Sequence, residues 1–356
     1  MNGFGYDPSR FNFDGGLMRK ISLLVVCLLA GLQACDSAPA AKPTTVPVAG
    51  PQGVVNFLAM GDWGSGSPKQ KIVAETLASY AQKQGNIQAV VLAGDNFYMK
   101  LSGVDDPVWK TVFEDVYDSK RLNMPFFAVL GNHDYQENKA QIELDYAKKN
   151  PTSRWKMPAR WYRVNIPQEK PLVALIMLDS TKDKFSASDW AAQMEWMDKE
   201  LASVPEGVWK VCVAHHTLFS NGSHGDNGVL QAQWGPILNK NHVDFFVCGH
   251  DHDVQHLEIP GWPESFVLVG GGGAGTRKML RDQRGPFSKS LNGFGHFQFT
   301  PEKALVRLIG ADGNELHAFE RSKAGAIKIL ANMPNDKATT QPLKEIQGIG
   351  GNKNDD

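Results

Sequence analysis

Aspartate, asparagine and histidine recur in this chain at one kind of place, directly after a short apolar run. Asp62 follows residues 54–60, Asp95 follows 89–93, and Asn132 and His133 follow 126–130. His215 and His216 follow 211–214, and His250 and His252 follow 245–248. Gly61, Gly94, Gly131 and Gly249 stand beside four of these clusters and let the backbone turn sharply there. One such residue alone is ordinarily a turn or a helix cap. Five clusters together supply carboxylate, amide and imidazole donors without a thiolate, which suits hard to borderline ions such as iron, manganese or zinc. The donors outnumber what one ion uses. Two ions roughly 3.5–4 Å apart, sharing a carboxylate, form the clamp that serves displacement at phosphorus.

The elements that must position these residues alternate along the chain. Helical patterns over residues 69–84, 107–118, 139–149, 188–203 and 228–239 separate the apolar runs, as in a layered α/β domain. Open α/β sheets place their ligand crevice at the carboxyl ends of the strands, which is where these side chains fall. Across 356 residues, 37 Lys plus Arg balance 38 Asp plus Glu, and this near-neutral charge argues against nucleic acid as the main partner. The four cysteines, Cys27, Cys35, Cys212 and Cys248, show no spacing that suggests a disulfide framework or a thiolate metal cage.

The N-terminal region reads as a targeting segment. Arg19 and Lys20 precede an apolar run over residues 21–32, short of the roughly 20 residues a spanning helix needs but suited to a signal-peptide core. Residues 1–17 form an ill-fitting preface to Met18, so they read as a start assigned too early, with residues 18–35 as the signal. The run ends in Ala34-Cys35, which resembles a bacterial lipobox, and this implies a lipid on Cys35. Residues 36–53, with Pro39, Pro43, Pro47 and Pro51, form an extended tether. An exported protein of the periplasm or cell envelope, anchored to a membrane, is expected. The alternative is a soluble periplasmic protein released after Ala34.

The set Asp62-x-Gly64, Gly94-Asp95-x-x-Tyr98, Gly131-Asn132-His133-Asp134, Val213-x-x-His216 and Gly249-His250-x-His252 resembles the calcineurin-like metallophosphoesterase superfamily. Within it the likeness is to the purple acid phosphatases, in their small tartrate-resistant form, over residues 54–321. Most members of the superfamily carry a histidine two residues after the first aspartate. Gly64 stands there in this chain, and the resemblance implies Tyr98, three residues after Asp95, as the ligand in its place. The resemblance implies a four-layer α-β-β-α sandwich over residues 54–322, with a dinuclear metal site at strand carboxyl ends; beyond it the periodicity is lost and the composition turns polar and Gly-rich, so residues 323–356 read as a polar tail. The resemblance also implies ferric iron on Asp62, Tyr98 and His252, a bridge at Asp95, and divalent iron, zinc or manganese on Asn132, His216 and His250. Phosphate monoesters are the implied substrates, cleaved by a metal-held hydroxide in an acid phosphatase.

By the same resemblance His133 contacts the phosphate and helps to protonate the leaving group. His224, in a polar loop, is a second catalytic candidate, with a plain surface histidine as its alternative. His215 reads as packing or support for the ligands, and the glycine run at residues 270–273 as a loop near the metal cleft. A phosphodiesterase or nucleotidase of the same superfamily, and a non-catalytic metal-binding envelope protein, are the competing functions.

Overall fold

The computed structural model describes residues 53–281 and 284–336. The extension, the signal with Cys35, all but Gly53 of the tether and the last part of the expected tail lie outside the described residues. Four parallel strands, β1 (Val55–Met60), β2 (Ala89–Leu92), β3 (Phe126–Ala128) and β4 (Trp155–Lys156), form half of one sheet. On the other side of β1 the sheet continues antiparallel through β12 (Gly293–Phe299), β13 (Lys303–Gly310), β14 (Glu315–Ser322) and β15 (Ile327–Asn332). The second sheet contains β5 (Tyr162–Ile166), β6 (Val173–Met177), β7 (Trp209–Val213), β8 (Phe245–Cys248), β9 (Val254–Glu258), β10 (Ser265–Val269) and β11 (Phe287–Lys289). Its order is β11-β9-β10-β8-β7-β6-β5, with β6, β7, β8 and β10 parallel.

Period-two alternation explains how the layers stack. Trp209, Val211 and Val213 of β7 and Phe245 and Val247 of β8 share a core with Phe57, Phe297 and Phe299 of the first sheet. The Phe299 ring lies 5.5 Å from Trp209 and 5.7 Å from Phe245. The intervening Cys212, Ala214, Phe246 and Cys248 face the other way, onto α3 (Ala187–Ser203) and α4 (Gly228–Lys240) through Trp190, Met197, Leu201, Leu230 and Trp234. On the first sheet α1 (Pro68–Gln84) packs against β12, burying Val73, Ala74 and Leu77. Ser67 caps its start by accepting from the Gln70 amide, and Gly85 closes it at φ 78°. The expected four layers are thus present, with α2 (Lys139–Lys149) following β3.

Two elements depart from the sequence expectation. The segment expected as a helix over 107–118 contains a short π-helix, Trp109–Glu114. The expected tail from residue 323 instead returns as β15, paired with β14 through Phe319 and Ile329. Edge position explains why it was missed: Ile329 and Leu330 remain 40% and 47% exposed, so no buried face imprints a period on the sequence.

Candidate metal centre

Both sheets deliver side chains to one place. Asp62, Asp95, Tyr98 and Asn132 follow strands of the first sheet, and His215, His250 and His252 follow strands of the second. Three of them turn through left-handed backbone, Asp62 at φ 57°, Asp95 at 51° and His250 at 72°, which non-glycine residues adopt at a cost. Such strain concentrates where function fixes a side chain. Gly64 has a steric reason: a Cβ there would meet the Asn96 carbonyl oxygen at 1.6 Å. The amide of Tyr98 donates to Gly64 O at 3.1 Å, so the turn bearing the tyrosine lies directly on the glycine.

One group of ligand atoms surrounds the Tyr98 oxygen. Its Oη lies 3.2 Å from Asp62 Oδ1, from Asp95 Oδ2 and from His252 Nε2. His252 Nδ1 donates to Gly275 O at 2.6 Å, which leaves the Nε2 lone pair facing the cluster. A single phenolic proton cannot serve three acceptors. Burial and the adjacent carboxylates hold the Tyr98 phenol well above its ordinary pKa, and a cation at this point reverses the effect of its charge.

A second group surrounds His215. Its Nε2 is 3.3 Å from Asp95 Oδ1, 3.1 Å from Asn132 Oδ1 and 3.2 Å from His250 Nδ1. Nδ1 donates to Ala93 O at 2.9 Å, the carbonyl support usual for a metal-binding histidine. The geometry therefore brings His215, expected as packing or support, to the position expected of His216. His216 instead bonds Ser180 Oγ through Nδ1 at 2.9 Å, with its ring 4.4 Å from that of His250. This corrects the sequence assignment. The physical reason is parity, since His215 shares the strand face of Val211 and Val213 and so points into the seam between the sheets.

These donors fit metal ions. Acceptors crowd one another at the spacing of neighbouring ligands around one ion with bonds of about 2.0–2.2 Å. Ligand atoms of Asp62, Asp95 and His215 all lie within 4.8 Å of one another, and Asp95 offers one oxygen to each group. Burial opposes charge on His215, but the Asp95 carboxylate outweighs it and pushes the imidazole up to about 10. Burial likewise works to raise Asp95, while His215 and the His133 amide hold it below the usual carboxylate range. Without an ion the centre thus takes up a proton, the natural competitor of a bound cation.

The calcineurin-like phosphoesterase family matches residues 55–254 of the chain. Purple acid phosphatase 3 of Arabidopsis thaliana is 30% identical over 77% of this chain and 80% of its own length. The chain belongs to the purple acid phosphatases of the calcineurin-like phosphoesterase family. Purple acid phosphatase 4 of the same plant is 28% identical over 87% of this chain and 96% of its own, and tartrate-resistant acid phosphatase type 5 of Sus scrofa is 29% identical over 75% and 86%. Among solved structures, GAP50, the anchor in the inner membrane complex of Plasmodium, shares the fold at TM-score 0.66 and 20% identity, covering 80% of this chain and 91% of its own. The purple acid phosphatase PPD1 of yellow lupin superposes at TM-score 0.60 with 18% identity, over 78% of this chain and 55% of its own.

In this purple acid phosphatase both catalytic candidates border the ligand groups. His133 donates its backbone N–H to Asp95 Oδ1 at 2.9 Å, and its ring lies 4.6 Å from that of Tyr98. His224 stacks on His250 at 3.8 Å. Its Nε2 accepts from Arg277 Nη1 at 2.6 Å, so the neutral ring keeps its proton on Nδ1 and has none at Nε2 to give a leaving group. The glycine-run expectation also holds, because Gly272 and Ala274 donate to Gly61 O and Asp62 O, at 2.9 Å each.

Sequence reasoning passed over the residues that lock the turns together. Buried Asp134 accepts from the amides of Asn96 at 2.8 Å, Phe97 at 3.1 Å and Gly131 at 2.8 Å, tying the turn after β2 to that after β3. Asn96 reaches Trp63, Val129 and Glu143 at 2.9–3.1 Å. Burial and the charge of Asp95 push Asp134 up to about 7, and burial and Asp134 push Glu143 up as well, so this carboxyl pair retains a proton beneath the site. Asp134 was visible as the last residue of its motif. Glu143 sits within α2 and carries no such signal.

Proposed function

We propose that the chain hydrolyses phosphate monoesters at a centre of ferric iron and a divalent metal. Asp62, Asp95, Tyr98 and His252 would hold the ferric ion, and Asp95, Asn132, His215 and His250 would hold iron, zinc or manganese. When bound, such a pair activates water and neutralises charge on a transferring phosphoryl group. The carrying observation is the meeting of two groups of acceptors at Asp95, each with its histidine tautomer fixed by a backbone carbonyl. In the reaction the His133 imidazole, beside Tyr98, delivers a proton to the departing oxygen, and His224 shapes the wall of the site. Elemental analysis with a visible spectrum, followed by turnover of p-nitrophenyl phosphate and its bis ester, tests this reading. Two ions per chain, a phenolate-to-iron band and faster monoester cleavage are expected. Full occupancy without monoester turnover refutes it, and preference for the diester moves the assignment to a phosphodiesterase.

For its location we propose an exported protein held to a membrane by lipid on Cys35. The support is the Arg19-Lys20 start, the short apolar core and the Ala34-Cys35 ending. Fractionation of cells expressing wild type and Cys35→Ser, with the mass of the N-terminal peptide, tests it. Wild-type protein in the soluble periplasm with an unmodified Cys35 refutes the anchor.

A further inference from the structure

One loop borders the centre on two sides. After β10 the chain passes residues 270–277, where Gly275 O accepts from His252 Nδ1 at 2.6 Å and Arg277 Nη1 donates to His224 Nε2 at 2.6 Å. His224 in turn stacks at 3.8 Å on His250, so the Arg277 guanidinium stands one ring away from a ligand of the proposed centre. Two nearby arginines share one carboxylate partner: Asp226 pairs with Arg281 at 2.9 Å and with Arg284 at 2.7 Å. Among the described residues no carboxylate pairs with Arg277. It is only partly buried and spends one N–H on a neutral histidine, leaving most of its donor fork unspent.

An unneutralised guanidinium held firmly at the rim is a ready partner for an oxyanion, to which it offers two parallel hydrogen bonds. Its bond to Nε2 runs in the plane of the His224 ring while His250 stacks on the ring face, so Arg277 stands at the ring's edge, beside the donor groups and not among them, where it can meet an anion borne on another part of the substrate. We propose that Arg277 is a specificity residue that binds a second anionic group on the substrate, a phosphoryl or a carboxylate. Preferred substrates are then phosphoryl compounds carrying a second oxyanion, and simple monoesters are the poorer class. For a nucleoside diphosphate the step is hydrolysis of the terminal anhydride. Water oxygen bonds to the terminal phosphorus, the bond from that phosphorus to the bridging oxygen breaks, and monophosphate, inorganic phosphate and a proton leave.

This inference rests on the phosphatase reading, and its test separates the two. Wild type, Arg277→Gln and Arg277→Lys are compared, at matched metal content, on ADP against AMP and on 4-carboxyphenyl phosphate against phenyl phosphate. Binding of inorganic pyrophosphate and of inorganic phosphate is measured by calorimetry on the same proteins. A charge-assisted pair predicts that Arg277→Gln lowers kcat/KM for the doubly anionic member about 10–100-fold more than for its partner, chiefly through KM, with Arg277→Lys in between. Pyrophosphate binding should weaken by the same factor relative to phosphate. A response confined to the ADP pair identifies a phosphoryl group, and one confined to the carboxyphenyl pair identifies a carboxylate. Equal losses within each pair overturn the proposal, because they reduce Arg277 to a support for His224. If no ester is turned over by fully loaded wild type, the phosphatase reading fails, and the pyrophosphate comparison still decides for or against Arg277.

Discussion

Replacing His215 or His216 singly decides which of two adjacent histidines holds an ion. His215 Nε2 stands within 3.1–3.3 Å of Asp95, Asn132 and His250, whereas His216 is tied by Nδ1 to Ser180. His215→Ala removes one donor of its group outright. Changes to residues that merely support ligands cost 10–100-fold in metal affinity, so loss of the ligand itself should exceed about 100-fold, or about 2.7 kcal/mol. A second effect appears with the metal stripped by chelator. Asp95 is 1% exposed, and losing its imidazole partner leaves a buried charge uncompensated, a penalty of about 3–5 kcal/mol. At about 2–4 °C per kcal/mol for a domain of this size, the stripped His215→Ala protein should melt on the order of 10 °C below stripped wild type. The assay is elemental analysis after dialysis against buffered free metal, with calorimetric melts in chelator. His215→Ala should keep one ion and His216→Ala two. The opposite pattern, two ions on His215→Ala and one on His216→Ala, refutes the assignment of ligands by strand parity.

Three further outcomes are expected. Gly64→Ala places a methyl 1.6 Å from the Asn96 carbonyl and must displace the Tyr98 turn, so the iron-bound protein should lose its visible band along with roughly 3 kcal/mol or more of stability, read by spectroscopy and urea melts. His133→Ala should lower turnover about 10²–10⁴-fold, with a smaller loss for aryl phosphates whose leaving groups need little protonation, as steady-state kinetics on a leaving-group series will show. His296 is buried between Tyr80 Oη at 2.9 Å and Asn56 Oδ1 at 3.2 Å, and burial lowers its pKa to about 3. The unfolded chain therefore takes up this proton first as pH falls, and the stability gained by keeping the ring neutral is present above about 6.5 and lost towards 3. His296→Gln should flatten the fall in melting temperature across that window.

The turns were legible in the sequence because each couples an apolar run to glycine and a metal-binding side chain, a conjunction that capping does not require. The choice between His215 and His216 was also legible, but through a different signal. Residue spacing after Val213 favours His216, while the alternation of Trp209, Val211 and Val213 carries on to His215, and the seam between the sheets obeys the alternation. At Gly64 the missing ligand is plain from the residue type, and the structure adds the cause, a carbonyl where a Cβ would stand. β15 left no trace because its apolar residues face outward at an edge. Glu143 left none because a carboxyl in a helix normally faces water, and only packing beneath Asn96 makes it otherwise.

The division of the ligands between two sheets has a temporal consequence. Asp62, Asp95, Tyr98 and Asn132 are complete within the first part of the chain, but His215, His250 and His252 come well over half-way along it. An incomplete chain emerging from the ribosome carries three donors of one proposed group and two of the other, without any of the three histidines, so neither group is complete. Selection waits until the sheets have docked face to face, which needs β7 and β8 in place. On the proposed ligand set, both ion sites are therefore products of tertiary docking, and the ions present where the finished chain folds are the first that the completed groups meet.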